Sequence, residues 1–154
     1  MTSFTAKRVG HTQTIKLNDT PDRIFPLFTP EGEKKWASGW DFQLIYASSN
    51  QAEENLIFTT AAHDHGQSEA IWIISRYEPA DYFIEYQRIE PGLKIGRIRI
   101  TCRAADHADT LATIEYVYTA LSEQGNEFID RFSDEEYITF IDHWEKAINH
   151  YLAR

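Results

Sequence analysis

The sequence predicts an α+β fold in which a curved, seven-stranded antiparallel sheet wraps around one long C-terminal helix. Three observations carry this prediction. Two proline-initiated helix starts follow a first short strand. Apolar and polar residues then alternate through the middle of the chain, which is typical of strands. A final segment has helical spacing and supplies the large apolar surface on which such a sheet can close.

The first strand is predicted over residues 12–17, where apolar and polar residues alternate. Thr20 and Thr29 each precede a proline, an arrangement typical of helix starts. The hydroxyl accepts from free backbone N–H groups, and proline already has a helical φ. Two helices are therefore expected, and Pro26 keeps the first one short or kinked because proline cannot donate inside a helix.

Two tryptophans end the segment that contains these helices, PLFTPEGEKKWASGWD at residues 26–41. Trp36 and Trp40 carry more apolar area than a solvent-facing loop normally does. Two interpretations are open: the indoles form the wall of a ligand pocket, or they are core side chains that brace a turn.

Six further strands are predicted from the period of two. They cover residues 42–47, 56–62, 70–77, 82–89, 93–104 and 110–121. The links between them are short and rich in Gly, Pro, Asn, Asp and Ser, which favour turns. Short links between strands indicate antiparallel hairpins.

The last helix is predicted to begin after Ser133, because Ser133 and Glu136 form a capping box with acidic residues in the first turn. Its apolar residues recur at spacings of three and four. This stripe consists of Tyr137, Ile141, Trp144, Ile148 and Tyr151 or Leu152. Trp144, at its centre, is expected to be buried against the sheet.

The charges decide which face of the sheet lies inside. If Glu90-Pro91-Gly92 forms a three-residue-type hairpin loop, Tyr86 pairs with Ile98, and Arg99 and Glu115 then share the opposite, solvated face. The inner face is mainly apolar. It comprises Ile84, Tyr86, Arg88, Ile98, Ile100, Cys102, Ala112, Ile114, Tyr116 and Tyr118, and also Trp72 and Ile74 if the preceding hairpin keeps the same parity.

A gap is expected between the last helix and the concave sheet, because a strongly twisted sheet cannot pack along its whole length on one helix. This order of elements resembles the helix-grip fold of the START-like, birch-allergen-like superfamily (SRPBCC; polyketide cyclase/dehydrase and lipid transport). The resemblance spans residues 1–154 as one domain. Its most specific part is residues 26–41, and residues 119–126 are similar to the superfamily's entry into the final helix. The resemblance implies binding of hydrophobic small molecules, with catalysis in only some members.

The predicted ligand site combines the short-helix segment, the concave face and the last helix. It comprises Trp36, Trp40, Trp72, Tyr86, Arg88, Tyr116, Tyr118, Tyr137, Ile141 and Trp144. The tyrosine hydroxyls supply the few polar groups that an apolar pocket needs, or they satisfy one another. Arg88 always keeps its charge, so an inward position requires a carboxylate, a carbonyl or a ligand anion; contact with water at the strand end is the favoured placement.

The leading functional hypothesis is a binding protein for a hydrophobic or aromatic small molecule. One alternative is a cyclase- or aromatase-type enzyme, which requires a titratable group with a shifted pKa inside the cavity; Arg88, the tyrosines and His63 are the candidates. A second alternative is a protein-interaction module whose cavity is filled by its own side chains.

Other chemistries lack support in the sequence. His63 and His65 alternate in an extended segment, but no further ligands have matching spacing, so neither a metal site nor a cofactor is expected. There is no Gly-x-Ser-x-Gly motif, and Cys102 lies in a strand without an evident histidine beside it.

Composition limits the partners. A net charge of −9 argues against nucleic acid, and no apolar run is long enough to span a membrane. The single cysteine excludes an internal disulfide and fits a reducing compartment, so a cytoplasmic location is expected.

Overall fold

The computed structural model describes residues 3–61 and 69–154. Strand β1 (Arg8–Leu17) is followed by helix α1 (Pro21–Ile24), a 3-10 turn (Phe25–Phe28) and helix α2 (Pro30–Glu33). Six strands come next: β2 (Gln43–Tyr46), β3 (Ile57–Thr60), β4 (Ala70–Glu78), β5 (Phe83–Glu90), β6 (Lys94–Ala104) and β7 (Thr110–Ala120). Helices α3 (Glu123–Arg131) and α4 (Asp134–Leu152) complete the order.

The seven strands form one sheet in the order β1-β7-β6-β5-β4-β3-β2, and every neighbouring pair is antiparallel. Strands β2 to β7 run as a meander, and β1 joins beside β7. Helix α4 packs on this sheet, and the short helices lie between β1 and β2 in the chain. The predicted fold class is thus confirmed.

The predicted register of the central hairpin is also confirmed. Tyr86 pairs with Ile98 across β5 and β6, and Gly92 in the connecting loop has a φ of +76°, a conformation that glycine adopts without strain. Ile98 is buried, whereas Arg99 and Glu115 lie on the outer face with 39% and 35% of their side chains exposed. A bulge in β4 between Ile74 and Arg76 shifts the pairing with β5 by one residue. As a result Ile74 pairs with Tyr86 and Trp72 with Arg88, and both Ile74 and Trp72 are buried.

Two features of the C-terminal region differ from expectation. The chain after β7 does not run directly into the final helix but forms α3, whose first turn is capped by Ser122, with the Gly125 N–H donating to Oγ at 3.2 Å. Helix α4 begins as predicted, with the Glu136 N–H donating to Ser133 Oγ at 3.1 Å. Trp144 is only half-buried, because the side of its ring that was expected to meet the sheet borders open space instead.

None of the helices within residues 3–61 and 69–154 is both long and apolar enough to cross a membrane.

Candidate functional site

A cavity of about 1230 Å³ lies between the concave face of the sheet, α4 and the segment that follows α2. Eight of the ten predicted site residues line it: Trp36, Trp40, Trp72, Tyr86, Arg88, Tyr116, Tyr118 and Trp144. The other two do not. Tyr137 and Ile141 are fully buried, and the Tyr137 hydroxyl donates to the Ile114 carbonyl. Their positions on the helix stripe face the sheet, so they belong to the core beneath the cavity.

Trp36 and Trp40 brace the turn and form the pocket wall at the same time. The Trp36 indole N–H donates to the Leu27 carbonyl at 2.8 Å, and that of Trp40 donates to the Pro30 carbonyl at 3.0 Å. Both rings are half-buried and border the cavity. Both interpretations of the sequence therefore apply to Trp36 and Trp40: each indole braces the turn through its N–H, and each ring borders the cavity.

Aromatic rings form a large part of the wall. Trp72 stacks on Phe58 with 5.3 Å between ring centroids and meets Trp40 edge-on at 5.6 Å. Trp144 lies 5.5 Å from Trp36 and 6.2 Å from Tyr116. These offset and edge-on contacts hold the rings against one another and leave their remaining faces to the cavity.

The three predicted tyrosines differ in what their hydroxyls do. Tyr86 donates to the Phe28 carbonyl at 2.6 Å, and Tyr118 is hydrogen-bonded to Arg88. The Tyr116 hydroxyl has no hydrogen-bond partner among the described residues, yet it is not sealed off by protein atoms. Of the three hydroxyls, it is therefore the one available to a ligand in the cavity.

Arg88 does not reach water, contrary to expectation. Its side chain is 7% exposed, forms an ion pair with Glu90, and its guanidinium lies 5.3 Å from the Trp72 ring centroid. Glu90 also accepts from Lys94 Nζ at 2.7 Å. Burial, together with the Arg88 charge, lowers the pKa of Lys94 to about 8. We call Arg88, Glu90 and Lys94 the ion cluster.

A buried acid in the cavity wall was not predicted from the sequence. Glu33, the last residue of α2, is 8% exposed and lines the cavity. No described residue donates a hydrogen bond to its carboxyl group, and burial raises the pKa of that group well above its ordinary value. Glu33 in turn raises the pKa values of Tyr86 and Tyr116, for which burial is the larger cause.

A signal for Glu33 exists in the sequence. Glu33 and Trp36 are three residues apart, a spacing that places both on one side of a helical turn. If Trp36 forms the pocket wall, Glu33 is expected beside it. The same logic applies to His143, which helical spacing assigns to the solvated side of α4 but which lies next to Trp144 and lines the outer part of the cavity.

Gly32 fixes the position of Glu33. A Cβ atom on Gly32 would lie 1.9 Å from the Pro26 carbonyl oxygen, so only glycine lets α2 pack directly on the preceding 3-10 turn. The Gly32 N–H also donates to Thr29 Oγ1 at 3.1 Å, which caps α2 as the sequence predicts. This packing directs the next side chain, Glu33, into the cavity.

The histidine pair considered as a metal site, His63 and His65, lies outside the described residues. Within the described part of the chain, no three His, Cys, Asp or Glu side chains are grouped in a way that could hold a metal ion.

No protein-family model and no curated protein sequence matches the chain. Solved structures do match over nearly its whole length. Truncated norcoclaurine synthase from Thalictrum flavum has a TM-score of 0.68 at 11% identity and covers 99% of this chain and 98% of its own. Ginseng major latex-like protein 151 from Panax ginseng has a TM-score of 0.65 at 14% identity, with 96% and 98% covered.

A third match is Ara h 8.0201, with a TM-score of 0.64 at 13% identity over 96% of this chain and 100% of that one. Identities this low establish similarity of fold alone. With its seven-stranded antiparallel sheet packed on a long C-terminal helix, the chain has the Bet v 1-like, or birch-allergen-like, helix-grip fold.

Proposed function

We propose that this protein binds a hydrophobic, mainly aromatic small molecule in the cavity between the sheet and α4. The observation that carries the proposal is an open space of about 1230 Å³ bordered by four tryptophans. Ligand sites are typically concave and apolar, with a few placed polar groups. Here those groups are the Tyr116 hydroxyl, the Glu33 carboxyl and the Arg88 guanidinium.

The alternative of a protein-interaction module assumed that the protein's own side chains fill the cavity. Tyr86, Tyr116, Tyr118 and Trp144 line the space without occupying it. A protein-interaction module would therefore have to use some other surface.

An enzyme of the cyclase or aromatase type is the second candidate, and Glu33 is the observation that favours it. General acid–base catalysis requires a titratable group with a shifted pKa within a cavity, and Glu33 meets this condition. One protein of similar fold, norcoclaurine synthase, is an enzyme by its name. Binding is the common requirement of both candidates, so we place it first.

The proposal is tested on freshly purified protein. Native mass spectrometry will detect a co-purifying small molecule, and titration with fatty acids, flavonoids and polyketide-like aromatics will reveal binding through tryptophan emission. We expect micromolar affinity, because hiding a few hundred Å² of apolar surface at roughly 25 cal/mol per Å² leaves several kcal/mol before ordering costs.

Variants locate the site. Trp36→Ala and Trp72→Ala are expected to weaken the response at least several-fold, since both rings border the cavity. Tyr46→Ala is the matched control, because Tyr46 is 63% exposed and lies outside the cavity wall. If nothing co-purifies and no compound in the panel binds, the binding function is wrong.

A further inference from the structure

We propose that Glu33 and Tyr116 form a two-donor site that selects, among the hydrophobic molecules that fit the cavity, those carrying a carbonyl oxygen on an aromatic framework. This inference rests on the proposed binding function. It adds the chemical group by which the ligand is recognised.

The first step is the missing partner of Glu33. A buried carboxyl group without a hydrogen-bond partner is costly, and such groups are rare in folded proteins. Glu33 is 8% exposed, no described residue bonds to its carboxyl group, and its oxygens are not sealed off by protein atoms. The space that these oxygens meet is the cavity, so a bound molecule is the partner that this geometry allows.

The second step is the protonation state of the carboxyl group. Burial raises the pKa of Glu33, and no described cation forms an ion pair with its carboxyl group. Burial thus favours the neutral acid over the carboxylate, and the O–H of the neutral acid is a hydrogen-bond donor. A neutral acid in an apolar wall seeks an acceptor.

The third step is the second donor. Tyr116 extends from β7 into the same cavity with its hydroxyl unpartnered among the described residues, and its pKa responds to Glu33. The ring of Trp144 packs against the rings of both Trp36 and Tyr116, with 5.5 Å and 6.2 Å between ring centroids. A neutral carboxylic acid and a tyrosine hydroxyl in an apolar site can together hold a carbonyl or enolate oxygen.

A cation is the other partner that a carboxyl group accepts. The guanidinium of Arg88 borders the same space but is paired with Glu90, and Asp41 and Glu69 also line the cavity. The charges in the wall therefore do not separate a cationic ligand from a neutral acceptor. The burial of Glu33 does favour the acceptor, because it favours the neutral acid over the carboxylate.

Three probes that share one ring system separate these possibilities: 2-acetylnaphthalene, 2-ethylnaphthalene and 1-(2-naphthyl)ethylamine. Their dissociation constants are measured by tryptophan emission at neutral pH. We expect the wild-type protein to bind the ketone roughly five- to tenfold more tightly than the hydrocarbon, the preference that about one well-placed hydrogen bond provides. The amine is expected to bind no better than the hydrocarbon.

Variants assign the preference to the two residues. Glu33→Leu and Tyr116→Phe should reduce it severalfold each, whereas Glu33→Gln should retain part of it because the amide N–H still donates. Glu31→Leu is the matched control, since Glu31 lies on the same helix but is exposed. Hydrocarbon affinity in each variant shows whether the cavity is intact, because that ligand uses neither donor.

Each contrary result is distinct. If all three probes bind with equal affinity, the binding function stands and the two-donor site is wrong. Tighter binding of the amine, abolished in Glu33→Gln, would show that Glu33 acts as a carboxylate and would also overturn the inference. If none of the three binds, aromatic ligand binding itself fails.

Discussion

The ion cluster, which reaches the cavity through Arg88, and Glu33 are both buried ionisable groups, but their burial is compensated in opposite ways. In the ion cluster, Glu90 is placed between two cations, and every charge has a partner within the chain. Glu33 has none among the described residues, and burial raises the pKa of its carboxyl group, which favours the uncharged form. Removing a charge from water is compensated either by pairing or by neutralisation. The charges of the ion cluster are therefore compensated within the chain, whereas the carboxyl group of Glu33 is not.

The strongest test of this contrast is Glu90→Gln. It leaves the guanidinium of Arg88 and the ammonium of Lys94 buried without their shared carboxylate. Breaking a buried ion pair from one side costs about 3–5 kcal/mol, so urea unfolding should show a loss of that size. Glu78→Gln is the control, since Glu78 pairs with Arg76 at the surface and its loss should cost about 1 kcal/mol or less. Equal small losses in both variants would mean that the cluster does not depend on pairing.

Gly32→Ala tests whether packing directs Glu33 inward. The new methyl group would overlap the Pro26 carbonyl, which is backbone and cannot turn aside. We expect a loss of about 1–3 kcal/mol, typical of overpacking, together with loss of the preference for the ketone probe. Thermal and urea unfolding measure the first effect, and the naphthalene titrations measure the second. Normal stability and normal ligand preference in the Gly32→Ala variant would contradict this account of α2.

Glu33→Gln should change how stability depends on pH. The folded-state pKa of Glu33 lies above its ordinary value of 4.5, so the folded protein holds a proton that the unfolded chain releases. The wild-type protein therefore loses stability, relative to Glu33→Gln, as pH rises from 4.5 to the folded-state pKa. The slope of this difference approaches about 1.4 kcal/mol per pH unit between the two values.

The measurement is urea unfolding of both proteins from about pH 4 to about pH 8, a range that brackets the ordinary and raised values of a carboxyl group. Tyr86 and Tyr116, which face Glu33, stay protonated over this range because burial raises both pKa values. His143, on the facing helix, is present in both proteins, as is Arg88, so their contributions cancel in the difference. A flat difference curve would show that folding does not raise the pKa of Glu33, which would contradict this account.

The smallest effect is expected for Lys94→Met. Glu90 then keeps Arg88 as its partner, and the methionine fills the space between Tyr118 and Phe128 that the lysine chain occupies. Replacing a buried charge by an apolar side chain of similar size is often neutral, so urea unfolding should show a change of about 1 kcal/mol or less. Comparison with Glu90→Gln tests whether loss of the single anion, Glu90, lowers the free energy of unfolding more than loss of the second cation, Lys94. A loss as large as that of Glu90→Gln would contradict this ranking.

The sheet could be predicted from sequence because alternation along a strand is a local property. With Glu90-Pro91-Gly92 as a hairpin loop, the pairing of Tyr86 with Ile98 and the burial of both follow. The same rule puts Arg88 and Glu90 on one face, two residues apart. The ion pair between them could therefore have been predicted from the sequence.

Glu33 was harder to predict, because its direction depends on how a four-residue helix packs. That packing is set by the contact between Gly32 and Pro26, two residues whose approach is a tertiary feature. Helix α3 was missed for a different reason. Glycine and asparagine in its first half weaken the helical pattern, and packing outweighs that propensity. The half-burial of Trp144 likewise reflects a gap in tertiary packing that helical spacing alone does not reveal.

The alternation of β5, β6 and β7 also has a consequence for evolution. Tyr116 lies in the cavity wall and its neighbour Glu115 lies on the solvated face, so the chemistry of the cavity and that of the outer surface are encoded at alternating codons of the same strand. Selection can therefore alter one property while the other drifts.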